Sequence, residues 1–195
     1  MKAVGIMGGT FDPIHLGHLI TAQAVLELRD LEKIIFIPAF ISPFKTNIQI
    51  LNSAHRLKMI QLSLDDMPKF DYSDIEIRRE SISYTIDTIR ELKKNYNKLE
   101  LIIGYDNIID FKKWKEPDAI LELVKVVVLK RETSTEPKEK DKYYKSAAFV
   151  ETPIIEISSS EIRDRVAEGL PINYLVPEKV KKYIYKNNLY KEKNT

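Results

Sequence analysis

Along the chain, short apolar runs alternate with longer stretches whose apolar residues recur every three or four positions. Residues 3–7 (Ala-Val-Gly-Ile-Met) form the first run and predict a buried strand, and residues 19–28 follow with helical spacing. Residues 33–37 predict a second strand, stopped by Pro38, and 55–66 a helix with Leu57, Ile60, Leu62 and Leu64 at its apolar positions. Residues 70–77 alternate as a strand does, and 84–96 return to helical spacing through Ile86, Ile89 and Leu92. Further strands are predicted at 99–104, at 124–129 and, as the last, at 154–157. Ser158 and Glu161 have capping-box spacing and open a helix, and Pro177 stands in the first turn of a closing helix to Asn187. Strands alternating with helices predict right-handed βαβ units. The expected class is therefore α/β, a doubly wound, mostly parallel sheet with helices on both faces.

A chain of 195 residues with 44% hydrophobic content fits one domain with a sizeable core, here with a helical C-terminal part from about residue 158. Residues 131–145, rich in Lys, Glu, Thr and Pro, read as a surface loop. A formal charge of +2 gives no argument for nucleic acid. No apolar run approaches the ~20 residues of a membrane span, and the first residues lack the pattern of a signal peptide. The absence of cysteine excludes disulfides and thiol chemistry and suits a reducing cytoplasm, the expected location.

The densest chemistry lies between the first strand and the first helix, in Gly8-Gly9-Thr10-Phe11-Asp12-Pro13-Ile14-His15-Leu16-Gly17-His18. Four of the six glycines and two of the three histidines fall in the first 18 residues. A strand, a glycine turn and a helix N-terminus make an anion site, with free N–H groups at the positive end of the helix dipole. His15 and His18, three apart, share a face of the first turn. As H-x-x-H they would need a third ligand to hold a metal, and no Cys or nearby His supplies one, so no protein metal site is expected. The spacing is neither that of a P-loop nor that of a dinucleotide fingerprint. Gly104-Tyr105-Asp106 and the segment 158–163 occupy two further strand-to-helix junctions, which a doubly wound sheet brings to one edge.

The Gly8–His18 segment resembles the (T/H)-x-G-H signature of the nucleotidyltransferases, and Ile157-Ser158-Ser159-Ser160-Glu161-Ile162-Arg163 resembles their I-S-S-T-x-I-R signature. Ser83-Tyr84-Thr85-Ile86-Asp87-Thr88, Ile102-Ile103-Gly104-Tyr105-Asp106 and Lys113-Trp114 further resemble elements of the bacterial nicotinate-mononucleotide adenylyltransferases. The resemblance runs from residue 4 to about 190. It departs from the family at Phe44, where a histidine is common before the retained Lys45, and at Tyr105, where a small residue is usual.

The resemblance implies that ATP and nicotinate mononucleotide give deamido-NAD and pyrophosphate, a step of NAD biosynthesis, with Mg²⁺ carried mainly by substrate phosphates and water. It implies catalytic roles for His15, His18, Lys45 and Arg163. ATP would meet Gly8, Gly9, Thr10, Phe11, His15, His18, Gly104, Asp106, Ser159, Ser160 and Arg163, and the mononucleotide Lys45, Ser83, Tyr84, Thr85 and Trp114. Read as bare residues, Asp106 could instead cap a helix, Trp114 could be half-buried over a helix pair, and Arg163 could pair with Glu161 or Asp164. Phe11 and Asp12 fit a loop-fixing role, and His55 a structural one. A phosphopantetheine adenylyltransferase and a non-catalytic nucleotide sensor are the alternatives, and a homo-oligomer is open.

Overall fold

In a computed structural model, which describes residues 1–43, 50–130, 137 and 139–191, the chain builds one six-stranded sheet. In chain order the first half comprises β1 (Val4–Gly9), α1 (Leu16–Leu28), β2 (Lys33–Pro38), α2 (Ser53–Leu64), β3 (Phe70–Tyr72), α3 (Ile75–Arg79) and α4 (Thr85–Leu92). The second half comprises β4 (Leu99–Gly104), α5 (Tyr105–Ile109), α6 (Pro117–Leu123), β5 (Lys125–Lys130), α7 (Lys142–Ser146), β6 (Ala148–Glu151), α8 (Ser159–Ala167) and α9 (Glu178–Lys186). Every strand pair is parallel, in the order β3-β2-β1-β4-β5-β6. The doubly wound fold expected from the sequence is the fold observed.

Side chains alternate across each strand, and that period divides the core into two layers. Ile34, Phe36, Ile102 and Val127 face a cluster formed with α1, α2, α8 and α9, through residues such as Val25, Ile60, Ile162 and Ile184. Ile35, Ile37, Leu101, Ile103, Val126 and Val128 face the opposite cluster, covered from α4 to α7 by residues such as Ile86, Ile89, Ile108, Ile120 and Tyr144. Strands buried on both faces need apolar residues at nearly every position, which is why β2, β4 and β5 read as continuous runs.

Three expectations are corrected. Residues 154–157 are not a strand: the sixth strand is β6, which pairs Ala148 with Val127 through Glu151 with Lys130. Residues 70–77 divide, since only Phe70–Tyr72 pairs with β2 and the chain turns into α3 at Ile75. The 131–145 segment is not loop throughout, because Asp141 accepts the N–H of Tyr144 and caps α7. The cap expected at Ser158 is present, its hydroxyl accepting from Glu161 N at 3.1 Å.

The end of α1 is fastened to the sheet by charge. Arg29 grips Glu100 of β4 through two bonds of 2.9 and 2.8 Å, and the carboxylate is buried (8% exposed). The Arg29 guanidinium is held above its usual pKa by that hydrogen-bonded partner. Arg29→Met is expected to lower stability in urea denaturation by about 2 kcal/mol, because a buried carboxylate loses its partner at a half-exposed site. The double change Arg29→Met with Glu100→Met should recover most of that loss.

Candidate active site

In a doubly wound sheet, adjacent strands whose connections leave in opposite directions part at their carboxyl ends, and a crevice opens there. Here that point lies between β1 and β4. A cleft of about 350 Å³ sits on it, floored by the ends of both strands, Gly8-Gly9 and Ile103-Gly104. At Gly8 a Cβ would meet nothing within 4 Å, so this backbone is bare to the cleft. At Gly9 a Cβ would stand 3.0–3.2 Å from the Phe11 ring, so a side chain there would press on the following turn, which folds back over it.

That turn is fixed from beneath. Phe11 has φ of 49°, a left-handed conformation that a bulky residue adopts only when its surroundings hold it. Its ring is buried edge-on against His18 (5.0 Å) and Phe36 (5.8 Å). Arg56, 1% exposed, donates to Thr10 O (2.8 Å) and Leu51 O (2.9 Å). The buried carboxylate of Asp12 accepts from Leu51 N (3.1 Å) and from the Tyr190 hydroxyl (2.7 Å). Burial and the charge of Asp12 push the Tyr190 hydroxyl far up, so it stays a donor.

The two histidines stack, with ring centroids 3.6 Å apart. The His15 backbone N–H points at His18 Nδ1 (3.3 Å), which makes that nitrogen an acceptor and leaves the proton of the neutral ring on Nε2. His18 lines the cleft, whereas His15 is buried (6% exposed) behind it. Burial pulls the His15 imidazole from 6.5 to about 4, so it is neutral where the enzymes of a cell work.

Of the residues singled out from sequence, Gly8, Gly9, Thr10, Phe11, His18, Ser83, Thr85, Gly104 and Trp114 line the cleft. Trp114 stacks on Phe111 (5.0 Å, 27°) and is half-buried. It also lines an adjoining pocket of about 200 Å³ with Tyr84, Thr85, Lys113 and Lys115. Tyr84 caps α4, and the N–H groups of Thr85 and Ile86 have no backbone acceptor among the described residues.

Other candidates stand apart. Asp106 is exposed on the first turn of α5, and Asn107, one residue round the helix, lines the cleft. Arg163 donates to Asp12 O (2.8 Å) and Ser159 to Pro13 O (2.9 Å), so α8 grips the turn from outside. Ser160 is exposed, its hydroxyl 3.3 Å from that of Ser158. Lys45 and Phe44 lie outside the described residues. Tyr105 turns away from the cleft and packs edge-on against Tyr144. His55 bonds the Tyr183 hydroxyl at 2.9 Å, a structural contact.

Sequence reasoning did not find Asn107, Glu76, Thr88 and Lys115 around the cleft, or Arg56 and Tyr190 beneath the turn. Thr88 ends the 83–88 segment singled out from sequence without being assigned a role, and the others belong to no contiguous motif, so only the fold brings them there. Among the described residues no group of three His, Cys, Asp or Glu side chains could hold a metal ion, and no helix is long and apolar enough to cross a membrane.

Comparison with known proteins gives a consistent picture. The family model described as Cytidylyltransferase-like matches residues 6–165. The nicotinate-nucleotide adenylyltransferase of Bacillus subtilis (strain 168) is 40% identical over 192 residues, which are 97% of this chain and 99% of that protein. A probable nicotinate-nucleotide adenylyltransferase of Thermoanaerobacter sp. (strain X514) is 43% identical over 199 residues, covering 97% and 94%. Among solved structures, a Plasmodium falciparum nicotinic acid mononucleotide adenylyltransferase complexed with NaAD superposes with a TM-score of 0.79 at 22% identity, covering 97% of this chain and 98% of that one. That likeness shows the fold.

The buried His15 sets a pH dependence of stability. Its pKa is lower in the folded chain (about 4) than in the unfolded chain (6.5), so between these values only the unfolded chain takes up the proton. Stability is therefore expected to fall as pH drops from 6.5 towards 4, by up to about 3 kcal/mol from this group. In urea titrations at stepped pH, His15→Asn should flatten that segment of the curve.

Proposed function

The chain belongs to the nicotinate-nucleotide adenylyltransferases of the cytidylyltransferase-like family, and we propose that the cleft between β1 and β4 is where it transfers the adenylyl group of ATP to nicotinate mononucleotide. The products are deamido-NAD and pyrophosphate, and the step belongs to NAD biosynthesis. The observation that carries the assignment of site is the bare Gly8-Gly9 strand end facing His18 across a cleft at the topological switch point.

A phosphate oxygen of the mononucleotide attacks the α-phosphorus of ATP, and the bond from that phosphorus to the bridging oxygen of the β-phosphate breaks. The nucleophile is already ionised at neutral pH, so the reaction needs no general base. It needs two polyanions held in line and donors aimed at the charge that develops. His18 lines the cleft and presents Nε2–H to the charge that develops. His15, neutral and stacked behind, orients that ring. Lys45 and Arg163 supply positive charge to the phosphates, with the Ser160 hydroxyl and the backbone N–H groups of Ser159 and Ser160 at the start of α8 donating beside them. Gly104 and Asp106 lie on the side given to the ATP ribose. Trp114 stacks on the pyridine ring, and Ser83, Tyr84 and the N–H groups of Thr85 and Ile86 receive its carboxylate.

The donor set of the cleft, hydroxyls and N–H groups rather than a cage of carboxylates, fits a Mg²⁺ ion that arrives on the ATP phosphates with its waters. Bound there, the ion neutralises charge on the departing pyrophosphate. A chain with no cysteine suits a reducing cytoplasm, where ATP is abundant.

A carboxylate site built from N–H donors turns a donor towards an amide's NH₂. The specificity constant kcat/KM is therefore expected to favour nicotinate over nicotinamide mononucleotide by about tenfold or more. A pyrophosphate-release assay with both substrates checks this, and equal values would withdraw the carboxylate site from α4. In the same assay His18→Ala should lower kcat by about 10²–10³, the loss of one transition-state donor, while the thermal unfolding profile stays cooperative.

A further inference from the structure

Glu76 is the only Asp, Glu, Lys or Arg side chain among the described residues that line the cleft, an acid where two polyanions must bind. It is 7% exposed, and burial raises its pKa. A carboxylate in such a place is costly, so its hydrogen bonds indicate why it is there.

Those bonds join the two walls of the cleft. Thr88 of α4 donates its hydroxyl to Glu76 Oε1 at 2.7 Å, and Ser83 lies beside the carboxylate, its hydroxyl opposing the effect of burial on the Glu76 pKa. Ser83 Oγ in turn accepts the backbone N–H of Phe40 at 2.9 Å, and Ser83 N donates to Ile41 O at 2.9 Å beside the bridge between Ile41 and Ile82. Phe40 and Ile41 lead into Ser42 and Pro43, which line one wall, while Thr85 and Thr88 line the other. Arg79 completes the set, donating to Thr88 Oγ1 (3.3 Å) and Glu91 (3.1 Å). The Thr88 hydroxyl, donating to Glu76, is left free to accept from Arg79, and Ser83 Oγ accepts from Phe40 N, which leaves its hydrogen to turn towards the carboxylate. An uncharged acceptor at position 76 could preserve this order, and an aliphatic residue could not.

We infer that Glu76 is a positioning residue for the mononucleotide: by holding Thr88, with Ser83 and its bonds to the 40–41 segment beside it, Glu76 sets the distance between the 40–43 wall and the start of α4, and so the width of the half-cleft that Trp114 and Thr85 border. The inference rests on the adenylyltransferase reading of the cleft for the identity of that ligand. The β1 turn on the ATP side is held by bonds centred on Arg56 and Asp12, which meet the Glu76 set only at Phe40, whose carbonyl lies 3.5 Å from Arg56 Nη2.

The test uses the full chain with Glu76→Gln and Glu76→Ala, steady-state kinetics with each substrate varied, and the fluorescence of Trp114, the only tryptophan. Wild-type turnover of nicotinate mononucleotide is measured first, and its absence would refute the functional reading rather than the role of Glu76. The expected result for Glu76→Ala is a KM for the mononucleotide raised at least about fivefold, as for lost hydrogen bonds. The KM for ATP should remain within about twofold, and Glu76→Gln within about threefold of wild type on both. Equal rises for both substrates, or a loss of thermal stability with both KM values unchanged, would show a merely structural residue and overturn the proposal. So would a Glu76→Gln variant as impaired as Glu76→Ala, because charge rather than the hydrogen-bonded spacing would then be what matters. Should Glu76→Ala not fold, Thr88→Val reads the same spacing from the other side, and an unchanged mononucleotide KM would overturn the proposal equally.

Discussion

A guanidinium cannot be buried without acceptors, and the burial of Arg56 is the constraint on which the glycine-histidine turn depends. Its partners are carbonyl oxygens at Thr10 and Leu51, so the backbone itself, rather than a side chain, is what it fixes. The charge of Asp12 offsets part of the cost of desolvating it. Asp12 passes the constraint on, to the N–H of Leu51 and to Tyr190, while its own carbonyl takes Arg163. The turn is thereby held from α2, from α8 and from the segment after α9 at once. Such over-determination is what allows Phe11 to sit at positive φ and support His18.

The cleft itself has little charge of its own in the described wall. Its chemistry comes from backbone N–H groups, two imidazoles and hydroxyls, which suits a reaction whose nucleophile is already ionised and whose difficulty lies in bringing anions together. Neutral donors attract phosphate less at long range than lysines do, and they give a defined direction once it arrives. The burial of His15 belongs to the same economy: a second imidazolium 3.6 Å from His18 would repel any charge on it, and desolvation keeps that ring neutral.

The two-sided burial of the central strands made them visible in the sequence. β1, β2, β4 and β5 are continuous apolar runs because each needs a hydrophobic residue on both faces. β6 escaped notice because an edge strand of four residues, Ala-Phe-Val-Glu, is only partly buried, while the more apolar 154–157 segment further on pairs with nothing. The short helices α3, α5, α6 and α7 span five to seven residues, too few to display a period. The glycine-histidine turn was legible because its function is contiguous. Asn107, Glu76, Arg56 and Tyr190 were not, since their roles exist only after distant segments meet. Arg56 in particular has the sequence appearance of a surface residue on an amphipathic helix, and nothing local marks it as the most enclosed cation of the described chain.

The bond between Tyr190 and Asp12 links positions 178 residues apart in sequence. The segment after α9 therefore takes part in the support of a turn made by the first strand and helix, and the two are one structural unit despite their separation in sequence. Removing α9 and the residues that follow it would leave every signature motif in place and take away the hydroxyl that Asp12 accepts.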